Sequence, residues 1–273
     1  SFNTQYKVQL SALHNAWIEK VKTKAAELKT TSSPSCLTRS WKVYGDSAFD
    51  YVMISMPERL PYRSRMDIEP ARIVVDLFGV TSNTNWITQL RTTREIKNVW
   101  YNQVENDMMQ VFIELKHQTH WGYNIYYDSL QKLVIRVKRQ PSVLSLRNLR
   151  IAVDAGHGGD QTGTTGIMSG IKEKDLTLLY AKELSAELKR RGAKVVMTRD
   201  KDTTLTMFER IRFLEKENPA LLISIHFNDS SKDTVRGVST YYRYIGFRPL
   251  SELILNQVLT TGLHEFGNVG SFN

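Results

Sequence analysis

The sequence predicts an α/β domain, a largely parallel sheet flanked by helices, preceded by a small all-β sandwich domain. Two observations carry this reading. From Ser40 to about residue 140 apolar residues recur at period two in short β-branched and aromatic runs, with Ile73, Val75 and Leu77 alternating with Val74, Asp76 and Phe78. After Ile151 the rhythm changes, and strand-like runs alternate with helix-like ones, as in sheets whose strands are joined by packed helices. A length of 273 residues suits two ordinary domains, and 41% hydrophobic with 24% charged residues is a globular composition.

In chain order, Tyr6 to Lys29 places Leu10, Leu13, Trp17, Val21 and Leu28 at near-helical spacing among lysines, an amphipathic helix. Thr30 to Pro34 is a polar break, so residues 1–39 read as a helical and linker segment. Strands are expected at Ser40–Tyr44, Tyr51–Met56, Ala71–Phe78, Met108–Lys116, Gly122–Tyr127 and Lys132–Lys138, with polar turns at Asn102–Asp107 and Asp128–Gln131. Together they define an all-β domain over 40–140. His117 and His120 read as exposed polar residues at a strand end, and of Trp100, Tyr101, Trp121, Tyr123, Tyr126 and Tyr127 about half read as core. Residues 141–150 form a connector into the α/β domain, 151–273. There Ile151–Asp154, Lys194–Thr198, Ala220–Ile225 and Arg236–Tyr242 are strands. Glu173–Arg191, Thr206–Glu217 and Leu250–Phe266 are helices, the first stopped by Lys-Arg-Arg and Gly192.

Charge is uneven along the chain. Of the net +9, residues 1–150 hold 21 Lys and Arg against 13 Asp and Glu, and residues 151–273 hold 16 against 15. A basic first half suits an anionic polymer partner, and equally a merely solvated basic surface. The single cysteine, Cys36, excludes an internal disulfide and a cysteine metal cluster. No run approaches the ~20 apolar residues of a membrane span. Ser1 is not an initiator and the first thirty residues lack a signal-peptide core, so the chain reads as processed or as a fragment.

The chemistry concentrates at Ile151 to Gly163, where a short apolar run empties into the turn Gly156-His157-Gly158-Gly159. Glycines there let the chain hold His157 in a fixed direction at a strand end. The turn has neither the Gly-x-Gly-x-x-Gly spacing nor the Lys-Ser/Thr of a phosphate loop, although a plain tight turn stays open. His226 ends a second strand, so parallel pairing would bring both imidazoles to one sheet edge, where ligands of such sheets gather. Glu173, at a helix entrance returning to that edge, is the third candidate. Two histidines and a carboxylate make a common catalytic zinc set with a fourth position left for water. A dipole-favoured carboxylate for Glu173 and a backbone-bonded histidine for His226 remain open on spacing alone.

Val153-Asp154-Ala155-Gly156-His157-Gly158-Gly159, Gly170-Ile171-Lys172-Glu173-Lys174-Asp175, Val196-Met197-Thr198-Arg199-Asp200, Phe208-Glu209-Arg210 and Ser224-Ile225-His226-Phe227-Asn228 follow one another as in zinc-dependent N-acetylmuramoyl-L-alanine amidases, which this chain resembles over residues 151 to about 272. The resemblance implies Zn2+ on His157, Glu173 and His226, and peptidoglycan as substrate. The bond cut would join the lactyl group of muramic acid to the first alanine of the stem peptide. It implies an extracytoplasmic place in a bacterial envelope, with no nucleic acid or membrane span involved and any activator protein unknown. Ala71–Leu77 and Val111–Leu115 resemble the AMIN domain often found ahead of these amidases, which implies a wall-targeting β domain. Arg210 and Asn228 are candidates for supporting the site or positioning substrate, against a helix salt bridge and a turn respectively. The glutamate that protonates the leaving amine in relatives is expected beyond residue 273, since Glu252 and Glu265, read within the last helix, lack its surroundings. The alternative is a non-catalytic peptidoglycan or polyanion binding protein that retains a zinc site.

Overall fold

A computed structural model describes residues 18–23, 36–82, 84–230 and 235–270. Two compact units divide the chain. The first comprises Ser1–Arg139, Tyr242–Pro249 and Gly270–Asn273, and the second Gln140–Tyr241 and Leu250–Val269. Residues 18–23 are helical. The rest of the amphipathic helix expected over Tyr6–Lys29, and the linker Thr30–Pro34, lie outside the described residues. Among the described residues no helix is long and apolar enough to cross a membrane.

The first unit is built from β1 (Cys36–Leu37), β2 (Trp41–Gly45), β3 (Phe49–Ser55), β4 (Tyr62–Asp67), β5 (Arg72–Phe78), β6 (Val80–Thr81), β7 (Thr88–Gln89), β8 (Ile96–Glu105), β9 (Met108–Leu115), β10 (Tyr123–Tyr127) and β11 (Lys132–Lys138). A five-stranded sheet in the order β10-β11-β3-β2-β7 and a four-stranded sheet in the order β4-β5-β9-β8 share one core. Val43, Val52 and Ile135 from one sheet and Ile73, Leu77 and Ile113 from the other are at most 1% exposed. The period-two alternation of β3 and β9 reports this burial on one face.

Besides the two-residue strands β1, β6 and β7, two longer strands of this unit, β4 and β8, are not among those expected, because they lack that alternation. β4 reads Tyr-Arg-Ser-Arg-Met-Asp, its arginines paired across the sheet edge with Asp76. β8 buries only Ile96 and Val99 and runs on to Glu105, so the expected turn Asn102–Asp107 shrinks to two residues. His120 also departs from expectation. It is 5% exposed, with Nε2 2.8 Å from the Asp67 carbonyl, and burial pushes its pKa down. His117 instead lies on Glu95, with Nδ1 2.9 Å from the carboxylate.

Asp50, fully buried on β3, locks the β-unit. Its Oδ2 accepts the amides of Arg94, Glu95 and Ile96 at 2.9, 2.6 and 2.8 Å, and its Oδ1 accepts Arg139 Nε at 2.8 Å. One carboxylate thus ties β3, the approach to β8 and the end of β11.

In the second unit β12 (Arg150–Ala155), β13 (Lys194–Met197) and β14 (Leu221–Ile225) form a parallel sheet in the order β13-β12-β14. Central β12 is the most buried, with Ile151, Ala152, Val153 and Ala155 at most 2% exposed. Helix α1 (Glu173–Arg190) lays Ala181, Leu178, Leu184 and Leu188 against Val153 and Ala155. Lys189 and Arg190 in its last turn suit the helix dipole, and Gly192 follows at φ +94°. Helix α2 (Met207–Glu217) starts with a capping box between Thr206 and Glu209 and ends on left-handed Asn218.

The last expected helix is corrected. Helix α3 (Arg248–Leu259) stops where Thr260 and Thr261 turn their hydroxyls back on the Gln257 and Val258 carbonyls, and Gly262 follows at φ +85°. Glu265 and Phe266, read as the helix end, begin β16 (Glu265–Val269), paired parallel with β15 (Val238–Tyr241). Glu265 therefore begins a strand.

Asp154, near the end of β12, gathers the sheet. It accepts Thr198 Oγ1 after β13 at 2.6 Å, Ser224 Oγ on β14 at 2.6 Å, and Arg210 Nη1 from α2. Burial pushes the Asp154 carboxyl up, but the Ser224 and Thr198 hydroxyls and the Arg210 guanidinium outweigh it and hold the pKa below the ordinary value.

Asp50→Ala leaves three amides and a buried guanidinium without their acceptor, and should destabilise the first unit by about 3–5 kcal/mol in urea unfolding; a loss under about 1 kcal/mol would contradict this role. For Asp154 the folded-state pKa lies below the unfolded one, so its stabilisation is complete above about pH 4 and is lost as pH falls through the folded value. Asp154→Asn should therefore cost about 3 kcal/mol at pH 7, and that deficit should shrink on acidification below pH ~4. An unfolding difference constant from pH 7 to 3 would contradict it.

Candidate metal centre

Beyond β12 the chain turns through Gly156 and His157 with the backbone of His157 left-handed, φ +60°. A side chain rarely accepts that conformation, so the surroundings must hold it there. Two buried arginines do so. Arg210, 7% exposed, donates to the carbonyls of Ala155 at 3.0 Å and His157 at 2.6 Å. Arg199, 3% exposed, donates to those of Ala155 at 2.9 Å and Gly156 at 3.0 Å. Three successive carbonyls are therefore held by guanidinium groups. Around the next residues Asp202 accepts the Gly159 amide at 2.7 Å and Lys174 Nζ at 2.6 Å.

Glycine is required at two places beside the ring. A Cβ on Gly156 would fall on the imidazole of His226, and one on Gly163, at φ +69°, would collide with Glu173 and the His157 ring. Both rings thus approach the backbone as closely as a missing side chain allows.

Glu173 opens α1 and is 4% exposed. Its Oε2 accepts the Thr164 amide at 2.9 Å, and its Oε1 accepts the Phe227 amide at 2.9 Å. Burial raises its pKa, but these amides, the His157 imidazole and the His226 hydrogen bond outweigh burial and bring it below the usual carboxylate range. The carboxylate is thereby kept ionised and fixed in direction.

Both imidazoles converge on one oxygen of that carboxylate. His157 Nε2 is 3.2 Å and His226 Nδ1 3.0 Å from Glu173 Oε1, and the two rings stand edge to face, 4.9 Å between centroids. One donor atom from each residue lies within 4.8 Å of the others, the only such group of three among the described residues. Donors about 2.0–2.1 Å from a tetrahedral ion stand about 3.3 Å apart, close to the two spacings to Glu173 Oε1. The donor chemistry fits as well, with two neutral-capable imidazoles, one anion and no sulfur. His226 is exposed and His157 partly so, which leaves the face opposite Glu173 open to a reactant.

Of the other candidates, Asn228 lies two residues beyond His226 and is exposed, donating through Nδ2 to the Tyr241 hydroxyl at 2.8 Å. Arg210 faces protein, with its guanidinium engaged by Asp154, Ala155 and His157. Arg199 stands within the Val196–Asp200 motif without a role that the sequence alone assigns. A charged residue just past a strand carries no signal of burial, and only the fold shows it beneath the loop.

The stretch that carries these residues is similar to known proteins. Residues 151–265 match the family Amidase_3, N-acetylmuramoyl-L-alanine amidase. The chain is 40% identical over 172 residues to the probable cell wall amidase LytH of Staphylococcus saprophyticus, covering 59% of this chain and 57% of that protein. It is 32% identical over 91 residues to the N-acetylmuramoyl-L-alanine amidase AmiA of Escherichia coli, covering 33% and 31%. Among solved structures, the amidase AmiC2 of Nostoc punctiforme matches at 31% identity over 46% of this chain and 70% of that one, with a TM-score of 0.43. The chain spans less than two thirds of the length of these curated relatives. Residues 151–265 of this chain are thus similar to N-acetylmuramoyl-L-alanine amidases.

Proposed function

We propose that this protein is a zinc-dependent hydrolase of peptidoglycan, cutting the amide between the lactyl group of N-acetylmuramic acid and the L-alanine of the stem peptide. The observation that carries the proposal is the convergence of His157 Nε2 and His226 Nδ1 on Glu173 Oε1. That oxygen also accepts the Phe227 amide. Three donors crowd it while Oε2 takes the single amide of Thr164, an imbalance that a cation shared by the three side chains would relieve.

His157, Glu173 and His226 would hold the ion. Zinc held there would supply Lewis acidity toward the amide carbonyl and toward water near neutral pH. The chain's own residues do the rest of what the structure supports. Arg199 and Arg210 fix the loop, the Thr164 and Phe227 amides keep Glu173 anionic and aimed, and exposed Asn228 stands at the rim as a substrate-positioning group. We place the protein in the cell envelope, on the strength of cell wall amidases among its relatives. The first unit, with its AMIN-like strand pattern and basic excess, would bring the second to the wall.

The test is release of stem peptides from purified sacculi by the full-length protein, together with zinc content. We expect one zinc per chain and release that stops on chelation and returns with zinc. In His157→Ala both zinc and release should fall to background. Wild-type protein that binds zinc and sacculi but frees no stem peptide would overturn the hydrolase reading in favour of a wall-binding protein.

A further inference from the structure

Arg199 differs from every other buried cation of the second unit in what it touches. Arg210 is paired with Asp154, whereas no carboxylate among the described residues lies within ion-pair distance of Arg199. Its five hydrogen bonds go to the carbonyls of Ala155, Gly156, Lys174 and Lys201 and to Thr177 Oγ1, at 2.9, 3.0, 2.8, 3.3 and 3.0 Å. A buried guanidinium met only by neutral acceptors is a poor device for stability, since its desolvation is repaid less well than in an ion pair. Its partners explain it better. Ala155 and Gly156 lead into His157, while Lys174 and Thr177 lie in the first two turns of α1, which begins at Glu173. Thr177 Oγ1 itself donates to the Gly156 carbonyl at 2.7 Å, closing the same bridge.

We propose that Arg199 is a positioning residue for the metal centre, a planar fork that holds the His157 loop in register with the helix end carrying Glu173. This rests on the reading of His157, Glu173 and His226 as metal donors. Lysine keeps the charge but cannot span two loop carbonyls and the helix turn at once, because it lacks the rigid fork. Its removal acts on the ligands' geometry, which residues outside the coordination sphere commonly tune by about 10–100-fold in affinity.

The test uses chelator competition for zinc and the visible spectrum of the cobalt-loaded protein, on the full-length chain. Arg199→Lys should bind zinc about 10–100-fold more weakly and shift the cobalt bands. Ala181→Gly, which loosens the same unit from the core side of α1 without touching the loop, should leave both unchanged. Should Arg199→Lys fail to fold, Thr177→Val removes one partner of the fork and the Gly156 bond, and should show the same effects at smaller size. Wild-type zinc affinity in the folded variant, or an equal loss in Ala181→Gly, would overturn the inference while leaving the donor assignment intact. No zinc uptake by the wild type would remove both.

Discussion

The bonds between Asp154 and Arg210 are the constraint on which the second unit depends. A carboxylate near the end of the central strand draws in a hydroxyl on β14, another just past β13 and a guanidinium from α2. That guanidinium then reaches past it to the His157 carbonyl. The interaction that joins strands β12, β13 and β14 to a helix also holds a residue in a backbone conformation it would otherwise avoid. Left-handed residues of this kind cost about 1–3 kcal/mol, so a surrounding network must over-determine them. Here the network is built from two arginines and three consecutive carbonyls.

The consequence is a divided site. One layer, Asp154, Arg199, Arg210 and Thr177, is buried and saturated with hydrogen bonds. The other, His157 and His226, is open to solvent on one side, with buried Glu173 between the two. Such a division suits a centre that must keep its donors rigid while leaving one direction free for a reactant. The glycines at 156 and 163 belong to the same design, because any side chain there would occupy the space of the rings or of Glu173.

Much of this was legible in the sequence. Period-two alternation located β3, β5, β9 and β11, whose buried residues are apolar apart from Asp50 and Asp76, and the i, i+4 leucines located α1. The three convergent donors were named from strand ends and a helix start, because a parallel sheet sends such ends to one edge. What stayed hidden was tertiary. β4 and β8 are held by cross-strand pairing and arginine–aspartate bonds rather than by an apolar stripe. The start of β16 was taken into the expected helix Leu250–Phe266 because parallel pairing with β15 leaves no local mark. Arg199 looks like any exposed basic residue until the loop folds over it, and His120 looked solvent-facing until the first unit closed around it.

The central claim, that His157, Glu173 and His226 form one metal centre, is met most directly by X-ray absorption at the zinc edge of the loaded full-length protein. The expected result is one zinc per chain with two imidazole nitrogens and carboxylate oxygen at about 2.0–2.2 Å and no sulfur, and loss of one imidazole in His226→Ala. Failure to take up stoichiometric zinc, or a ligand set unchanged by His226→Ala, would contradict it.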